Sequence, residues 1–319
     1  MNKGTKPEKK RDFLCLRNYK ESEIRQILDL AKDVKEHPKK YSDALEGKEL
    51  ALLFQKTSTR TRVSFEVGMH QLGGNSIYLD WRTTNFTLGD LSDEIRCISE
   101  YVDIVMARVY EHSDVSTMAN SSIVPLINGL SDSYHPCQAL ADLYTVEEMF
   151  PNKDDIHIAF VGDGSNNVAT SLINICAKLH VKLTIVSPKE YSPDEETLSW
   201  LEEEDGDEFV KITDNPQEGV KGADVLYTDT FVSMGQEEES TKRLEIFKPY
   251  QINRDLIQNT NNSPIIMHCL PAHRGVEITS DVLDSKKSVV FDQAQNRLHT
   301  QKALLIFLLN LSKLNLKLF

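Results

Sequence analysis

Leu50-Ala51-Leu52-Leu53-Phe54-Gln55-Lys56-Thr57-Ser58-Thr59-Arg60-Thr61-Arg62-Val63-Ser64-Phe65-Glu66 carries the architecture of the chain. An apolar run of strand length ends in a burst of hydroxyls and cations. A helical pattern then opens, with Val63, Phe65, Met69 and Leu72 as its apolar members. A strand feeding a helix in this way leaves the first helical N–H groups unpaired, with the positive end of the dipole behind them. Ser58, Thr59 and Thr61 add hydroxyls, and Arg60 adds a planar fork matched to phosphate or carboxylate oxygens. The plainer reading is an ordinary Ser/Thr cap with Arg62 pairing to Glu66 one turn on. For Arg62 the plain reading is preferred. For Arg60 an anion ligand is preferred, because a cap needs one hydroxyl and not three plus a guanidinium.

The rest of the chain repeats the strand-then-helix alternation. Ser22 can cap a helix carrying Ile24, Ile27, Leu28, Ala31 and Val34 at helical spacing. Strands are expected at Ser76 to Leu79, Ile104 to Val109 and Val124 to Asn128, with a helix from Asp93 to Tyr101 and a polar loop from Asp80 to Asp90. His135-Pro136-Cys137-Gln138 starts a long helix, with Pro136 suited to its first turn and His135 and Gln138 on one face. Further strands are expected at Ile156 to Val161, Lys182 to Val186, Asp224 to Tyr227 and Ile265 to Met267. Such alternation predicts α/β architecture with two doubly wound parallel sheets covered on both faces, and ligands at the carboxyl ends of the strands. Arg108, at the end of its strand, reads either as a ligand there or as a rim salt bridge.

With 319 residues there is room for two domains. The expected division is 1–148 and 149–297, with a terminal helix, 298–319, packing back on the first. The formal charge of −13 argues against nucleic acid or an anionic membrane as partner, though not against a small anion held by a local field. Five scattered cysteines without metal-finger spacing predict reduced thiols in the cytoplasm. No apolar stretch has the length to span a bilayer, and Met1 to Arg11 lacks the apolar core of a signal peptide.

Gly162-Asp163-Gly164 after a strand invites a dinucleotide reading. Asn167 occupies the third glycine position, and the next strand ends at Ser187 without an acidic residue for a ribose. The match is partial, so the fold is expected without a nucleotide. The polar segment Asp229 to Glu238 follows a strand's carboxyl end, where a mobile covering loop is expected.

Six segments stand in one order: Ser58-Thr59-Arg60-Thr61-Arg62, Ala107-Arg108-Val109-Tyr110, His135-Pro136-Cys137-Gln138, Asp229 through Ser233-Met234-Gly235, His268-Cys269-Leu270-Pro271, and Asn296-Arg297. Together they resemble the aspartate/ornithine carbamoyltransferase family over nearly the whole chain. Ser-Met-Gly and His-Cys-Leu-Pro are similar to its ornithine branch. The resemblance implies transfer of a carbamoyl group from carbamoyl phosphate to L-ornithine, with no metal and no organic cofactor, in a homotrimer with its site in the cleft between the domains. By the same resemblance, Ser58, Thr59, Arg60, Thr61 and Arg108 hold the phosphate. Thr61, Arg108 and His135 polarise the carbamoyl oxygen, and Gln138, the Leu270 carbonyl and Arg297 orient the carbamoyl group. Asn167, Asp229, Ser233 and Met234 hold ornithine, and Cys269 lies beside the attacking amine. The alternatives are a putrescine carbamoyltransferase and a non-catalytic carbamoyl phosphate sensor.

The residue types suit that chemistry independently. Attack on a carbamoyl carbon puts negative charge on its oxygen, where one preorganised donor is worth roughly 100- to 1,000-fold in rate. A primary amine titrates near 10.4, so presenting it uncharged at pH 7 costs roughly 4–5 kcal/mol. Asp229 and Cys269 either relay that proton or, in the case of the thiol, merely pack. Asp93-Glu94-Ile95-Arg96 stands where the family commonly has Asp-Thr-Ala-Arg. The loop before it, Arg82 to Asp90, is altered, which bears on whether Arg82, Thr84 or Thr87 reaches a neighbouring site.

Overall fold

The structure, a computed structural model, describes residues 10–153, 155–232 and 240–309. Two compact units emerge. The first comprises residues 1–14, 30–132 and 301–319, and the second residues 15–29 and 133–300.

The first unit holds a four-stranded parallel sheet of β1 (Glu49–Phe54), β2 (Asn75–Asp80), β3 (Ile104–Arg108) and β4 (Leu126–Leu130), in the order β2-β1-β3-β4. Leu50 to Phe54 and Ile104 to Arg108 are buried throughout, the unbroken pattern of strands covered on both faces. Leu53, Val105 and Ala107 pack there with Ile95, Val115 and Met118 from two helices, Leu91–Ser99 and His112–Ser121. From β1 the chain turns one way to β2 and then back across to β3. The strand order therefore reverses between β1 and β3, where ligands collect in open α/β sheets.

The second unit holds β5 (His157–Val161), β6 (Lys182–Val186), β7 (Val210–Thr213), β8 (Val225–Thr228) and β9 (Ile265–His268), in the order β7-β6-β5-β8-β9, again all parallel. Its reversal lies between β5 and β8. Gly162 follows β5 at φ +147°, a conformation costly for any side chain, and a Cβ there would sit 3.3 Å from the Phe231 ring. Glycine lets that ring close over the strand end.

The expected doubly wound architecture is thus present in both units. Several local expectations need correction. The first long helix spans Glu21–Glu36, and the Glu23 carboxylate accepts from the Lys20 N–H at 2.9 Å, so Ser22 lies inside the first turn and does not cap it. β4 sits two residues later than expected, at Leu126–Leu130. The helix His112–Ser121 and the edge strand β7 were not anticipated at all. Asn296 and Arg297 lie within the terminal helix Val290–Leu309 and do not merely precede it. No helix among the described residues is long and apolar enough to cross a membrane.

Candidate active site

In the first unit, β1 and β3 are neighbours with Phe54 paired to Arg108. The two strand ends are laced together. The Arg108 carbonyl accepts from Gln55 N–H at 2.9 Å, and the Gln55 side-chain oxygen accepts from Tyr110 N–H at 2.8 Å. The loop carrying Ser58 and the strand carrying Arg108 therefore reach the reversal point side by side. Ser58 caps the helix Thr59–Gln71, its hydroxyl accepting from Thr61 N–H at 3.4 Å. Thr61 and Arg108 are buried, whereas Thr59 and Arg60 are exposed at the helix start. Arg62 points elsewhere: its Nε donates to Glu66 at 2.9 Å and its guanidinium lies 3.7 Å over the Tyr78 ring. The preferred plain reading of Arg62 holds. Arg82 folds back on its own turn, donating to the Asp80 carboxylate at 3.0 and 2.7 Å.

In the second unit, His135 is buried and forms the N-cap position of the helix Pro136–Met149, with Pro136 in the first turn as expected. Its backbone N–H donates to Ser171 Oγ at 2.7 Å, which fixes the entry to the helix. One turn in, the Gln138 amide is clamped from both ends. Arg297 Nη1 donates to Gln138 Oε1 at 2.5 Å, and Gln138 Nε2 donates to Asp142 Oδ1 at 2.8 Å. Burial lowers the tendency of Arg297 to hold its proton, offset by facing acidic groups that include Asp142.

Asp229 follows β8 and Cys269 follows β9, so adjacent strand ends bring them together. Cys269 Sγ donates to Asp229 Oδ1 at 2.9 Å, and Asn166 Nδ2 reaches Asp229 Oδ2 at 3.4 Å. Burial raises the pKa of Asp229 above the usual carboxylate value, and burial followed by the Asp229 charge pushes the Cys269 thiol well up. The thiol is a neutral donor and not a thiolate. Asn166 also caps the helix Asn167–Lys178, which places Asn167 at that helix's first position. Ser233 and Met234 lie outside the described residues.

The turn after β9 is held from below. His268 Nδ1 accepts from Leu270 N–H at 2.9 Å, so Nε2 carries the ring proton toward Glu277 Oε1 at 3.1 Å. That bond supports Leu270 at φ +58°, an uncommon conformation for a residue with a side chain. Asp229, His268 and Cys269 cluster closely enough to suggest a metal site. Both imidazole nitrogens already have partners, so His268 would have to give one up to ligate an ion.

A buried scaffold lies behind these groups. Asp163 and Arg243 form an ion pair, both almost without solvent exposure, and Arg243 Nε donates to the Phe231 carbonyl at 2.8 Å. Sequence reasoning missed this pair, and it missed Asp142, Tyr227 and Gln293. A lone carboxylate inside the apolar run Ala139 to Val146 was the available signal for Asp142.

Comparison with known proteins divides the chain at a different place from the two compact units. Residues 11–148 match the carbamoyl-P binding domain of aspartate/ornithine carbamoyltransferase, and residues 154–308 match its Asp/Orn binding domain. The chain belongs to the aspartate/ornithine carbamoyltransferase family. It is 49% identical over 307 residues to an ornithine carbamoyltransferase of Pyrococcus abyssi, covering 94% of this chain and 96% of that protein. It is 50% identical over 301 residues to the anabolic ornithine carbamoyltransferase of Pyrococcus furiosus, covering 92% and 95%. A solved ornithine carbamoyltransferase from Pyrococcus furiosus superposes with a TM-score of 0.88 at 48% identity, covering 92% of this chain and 96% of that one.

Proposed function

We propose that this member of the family transfers the carbamoyl group of carbamoyl phosphate to the side-chain amine of L-ornithine, giving L-citrulline and phosphate. The observation that carries the reading is the second unit's pairing of a clamped Gln138–Arg297 donor set with the Cys269 thiol bonded to Asp229. In the first unit, the capped helix start at Ser58–Thr61 and the buried Arg108 suit a phosphate dianion.

The proposed step is a direct displacement. The amine lone pair forms the new C–N bond, negative charge collects on the carbamoyl oxygen, and the C–O bond to phosphate then breaks with its electrons leaving on phosphate. Thr61, Arg108 and His135 offset the charge on the carbamoyl oxygen, while Gln138, the Leu270 carbonyl and Arg297 hold the carbamoyl group in plane. Asn167 and Asp229, with Ser233 and Met234, take the ornithine α-carboxylate and α-ammonium. Cys269 adjoins the amine, which sheds one proton to become a nucleophile and a second once the C–N bond has formed; the departing phosphate takes up one of the two and solvent the other. Ornithine is favoured over putrescine because the named relatives are ornithine enzymes and because putrescine would leave the α-carboxylate contacts unused.

Assembly as a homotrimer fits an exposed apolar strip in the first unit: Val63 and Val67 on the helix Thr59–Gln71, and Ile77 on the edge strand β2. The number three comes from the family resemblance. A cytoplasmic setting fits five cysteines that are all unbridged. The test of the activity is phosphate release from carbamoyl phosphate in the purified chain. Release is expected to depend on ornithine and to match citrulline mole for mole. Release indifferent to ornithine would overturn the reading.

A further inference from the structure

Asp142 is the point at which three structural elements of the second unit are joined by hydrogen bonds. It lies on the helix Pro136–Met149, one turn beyond Gln138, and is 1% exposed. Its Oδ1 accepts from Gln138 Nε2 at 2.8 Å and from Gln293 Nε2 at 2.7 Å, and its Oδ2 accepts from the Tyr227 hydroxyl at 2.9 Å. Each partner stands next to a group assigned to the reaction. Tyr227 is two residues before Asp229 on β8. Gln293 precedes Arg297 by one helical turn, and its own side-chain oxygen accepts from His268 N–H at 2.9 Å, directly before Cys269. Gln138 is itself one of the assigned groups.

A side-chain amide can sit either way round, and its surroundings choose. A carboxylate accepts only, so the ionised Asp142 draws the Gln138 NH2 toward itself and leaves Gln138 Oε1 as the acceptor that meets Arg297. A small buried acid thereby sets the polarity of a group that must orient the carbamoyl moiety.

We infer that Asp142 is a positioning residue for carbamoyl transfer, fixing the Gln138 amide and, through Gln293 and Tyr227, the strand ends that carry Cys269 and Asp229. The inference rests on the carbamoyltransferase reading above. Protonating Asp142 replaces one acceptor with a donor, which releases the constraint on Gln138. The groups facing it are Tyr227 from β8, Gln293 and Arg297 from the terminal helix, Cys176 from the helix Asn167–Lys178 and Cys269 after β9. Burial keeps both thiols protonated. Burial likewise lifts Asp142 to about 6, against its three hydrogen bonds and the Arg297 charge. The ionised form therefore prevails at neutral pH and is lost in mild acid.

The experiment is a double-mutant cycle on the full chain with Asp142→Ala, Gln138→Ala and the pair, plus Asp142→Asn, read as kcat/KM for carbamoyl phosphate across pH 5 to 8. Asp142→Ala is expected to lose at least tenfold, and the double variant to be no worse than Gln138→Ala alone, because one residue acts through the other. Asp142→Asn carries a donor in place of one acceptor, as the protonated acid does, but cannot titrate. It is expected to show the reduced rate of the acid limb at every pH and to lose the fall near pH 6, and it alone decides the matter should Asp142→Ala not fold. Losses that multiply in the double variant, or an acid limb unchanged in Asp142→Asn, would overturn the assignment. Calorimetric titration of carbamoyl phosphate into the same four proteins repeats the cycle without any acceptor. A wild type that binds the donor but makes no citrulline thus refutes the acceptor reading and leaves this cycle to be judged on affinity. A wild type that does not bind the donor refutes both.

Discussion

The Cys269 thiol donates to a carboxylate oxygen of Asp229 at 2.9 Å, although the two residues are 40 positions apart in sequence. Adjacent parallel strands, β8 and β9, deliver them to the same edge of the sheet. Burial raises both pKa values, so the sulfur keeps its proton and acts as a hydrogen-bond donor. Replacing Cys269 with Ala is expected to lower kcat by at least tenfold and to shift the alkaline limb of its pH profile. Cys269→Ser, which restores a donor, is expected to recover part of the loss. A kcat profile between pH 6.5 and 10 checks this, and an Ala variant with an unchanged profile would reduce the thiol to packing.

Arg60 and Arg62 make a matched comparison two residues apart on one helix. Arg62 is held by Glu66 and Tyr78, whereas Arg60 is exposed at the helix start. Arg60→Ala is expected to raise KM for carbamoyl phosphate and to cut kcat by orders of magnitude. Arg62→Ala removes an exposed helical ion pair worth roughly 0.5 kcal/mol, so its kinetics should stay near wild type. Steady-state kinetics of the two variants side by side test the assignment. Equal losses would place the anion site elsewhere.

Asp163 and Arg243 are 1% and 3% exposed at their side chains, so neither charge is compensated by water once the other is gone. Arg243→Met should therefore cost roughly 3–5 kcal/mol of stability. The removed guanidinium also bonds the Phe231 carbonyl, two residues from Asp229. Urea unfolding measures the loss, and a change below roughly 1 kcal/mol would show that the pair is not the buried anchor described.

Asp142 gives a stability prediction whose sign follows from its proton affinity. Its folded-state pKa, about 6, lies above the ordinary 3.8, so the fold binds this proton more tightly than the unfolded chain does. Ionised Asp142 therefore opposes folding at neutral pH, by roughly 3 kcal/mol, and the penalty fades as pH falls through 6 toward 4. Asp142→Asn carries no charge at any pH. Its stability relative to wild type is expected to be greatest near pH 7.5 and to shrink by pH 5. Urea midpoints at the two values check this, and a difference independent of pH would contradict it.

Much of this was legible in the chain because buried parallel strands are written as continuous apolar runs. Leu50 to Phe54 and Ile104 to Arg108 could hardly be anything else. The helix His112–Ser121 was not legible because His-Ser-Asp-Val-Ser-Thr reads as a loop, and its buried face consists only of Val115, Met118 and Ala119. Strand β7 is a short edge strand with an exposed pair, Lys211 and Ile212, at its centre, which weakens the expected apolar signal. The paired groups Gln138–Arg297 and Asp229–Cys269 were anticipated as individuals, since Gln138, Asp229 and Cys269 sit at strand or helix ends, while Arg297, inside the terminal helix, was indicated by the resemblance alone. The supports behind them were not. Asp163 and Arg243 lie 80 residues apart, and Asp142 and Gln293 lie 151 apart, so no local pattern could join them.

The central claim is the identity of the acceptor amine. Its direct measurement is the rate of citrulline formation against that of carbamoylputrescine, with carbamoyl phosphate saturating and the two amines at equal concentration. Citrulline is expected to form at least a hundredfold faster, since putrescine leaves the α-carboxylate contacts empty. Equal rates, or faster carbamoylation of putrescine, would contradict the account.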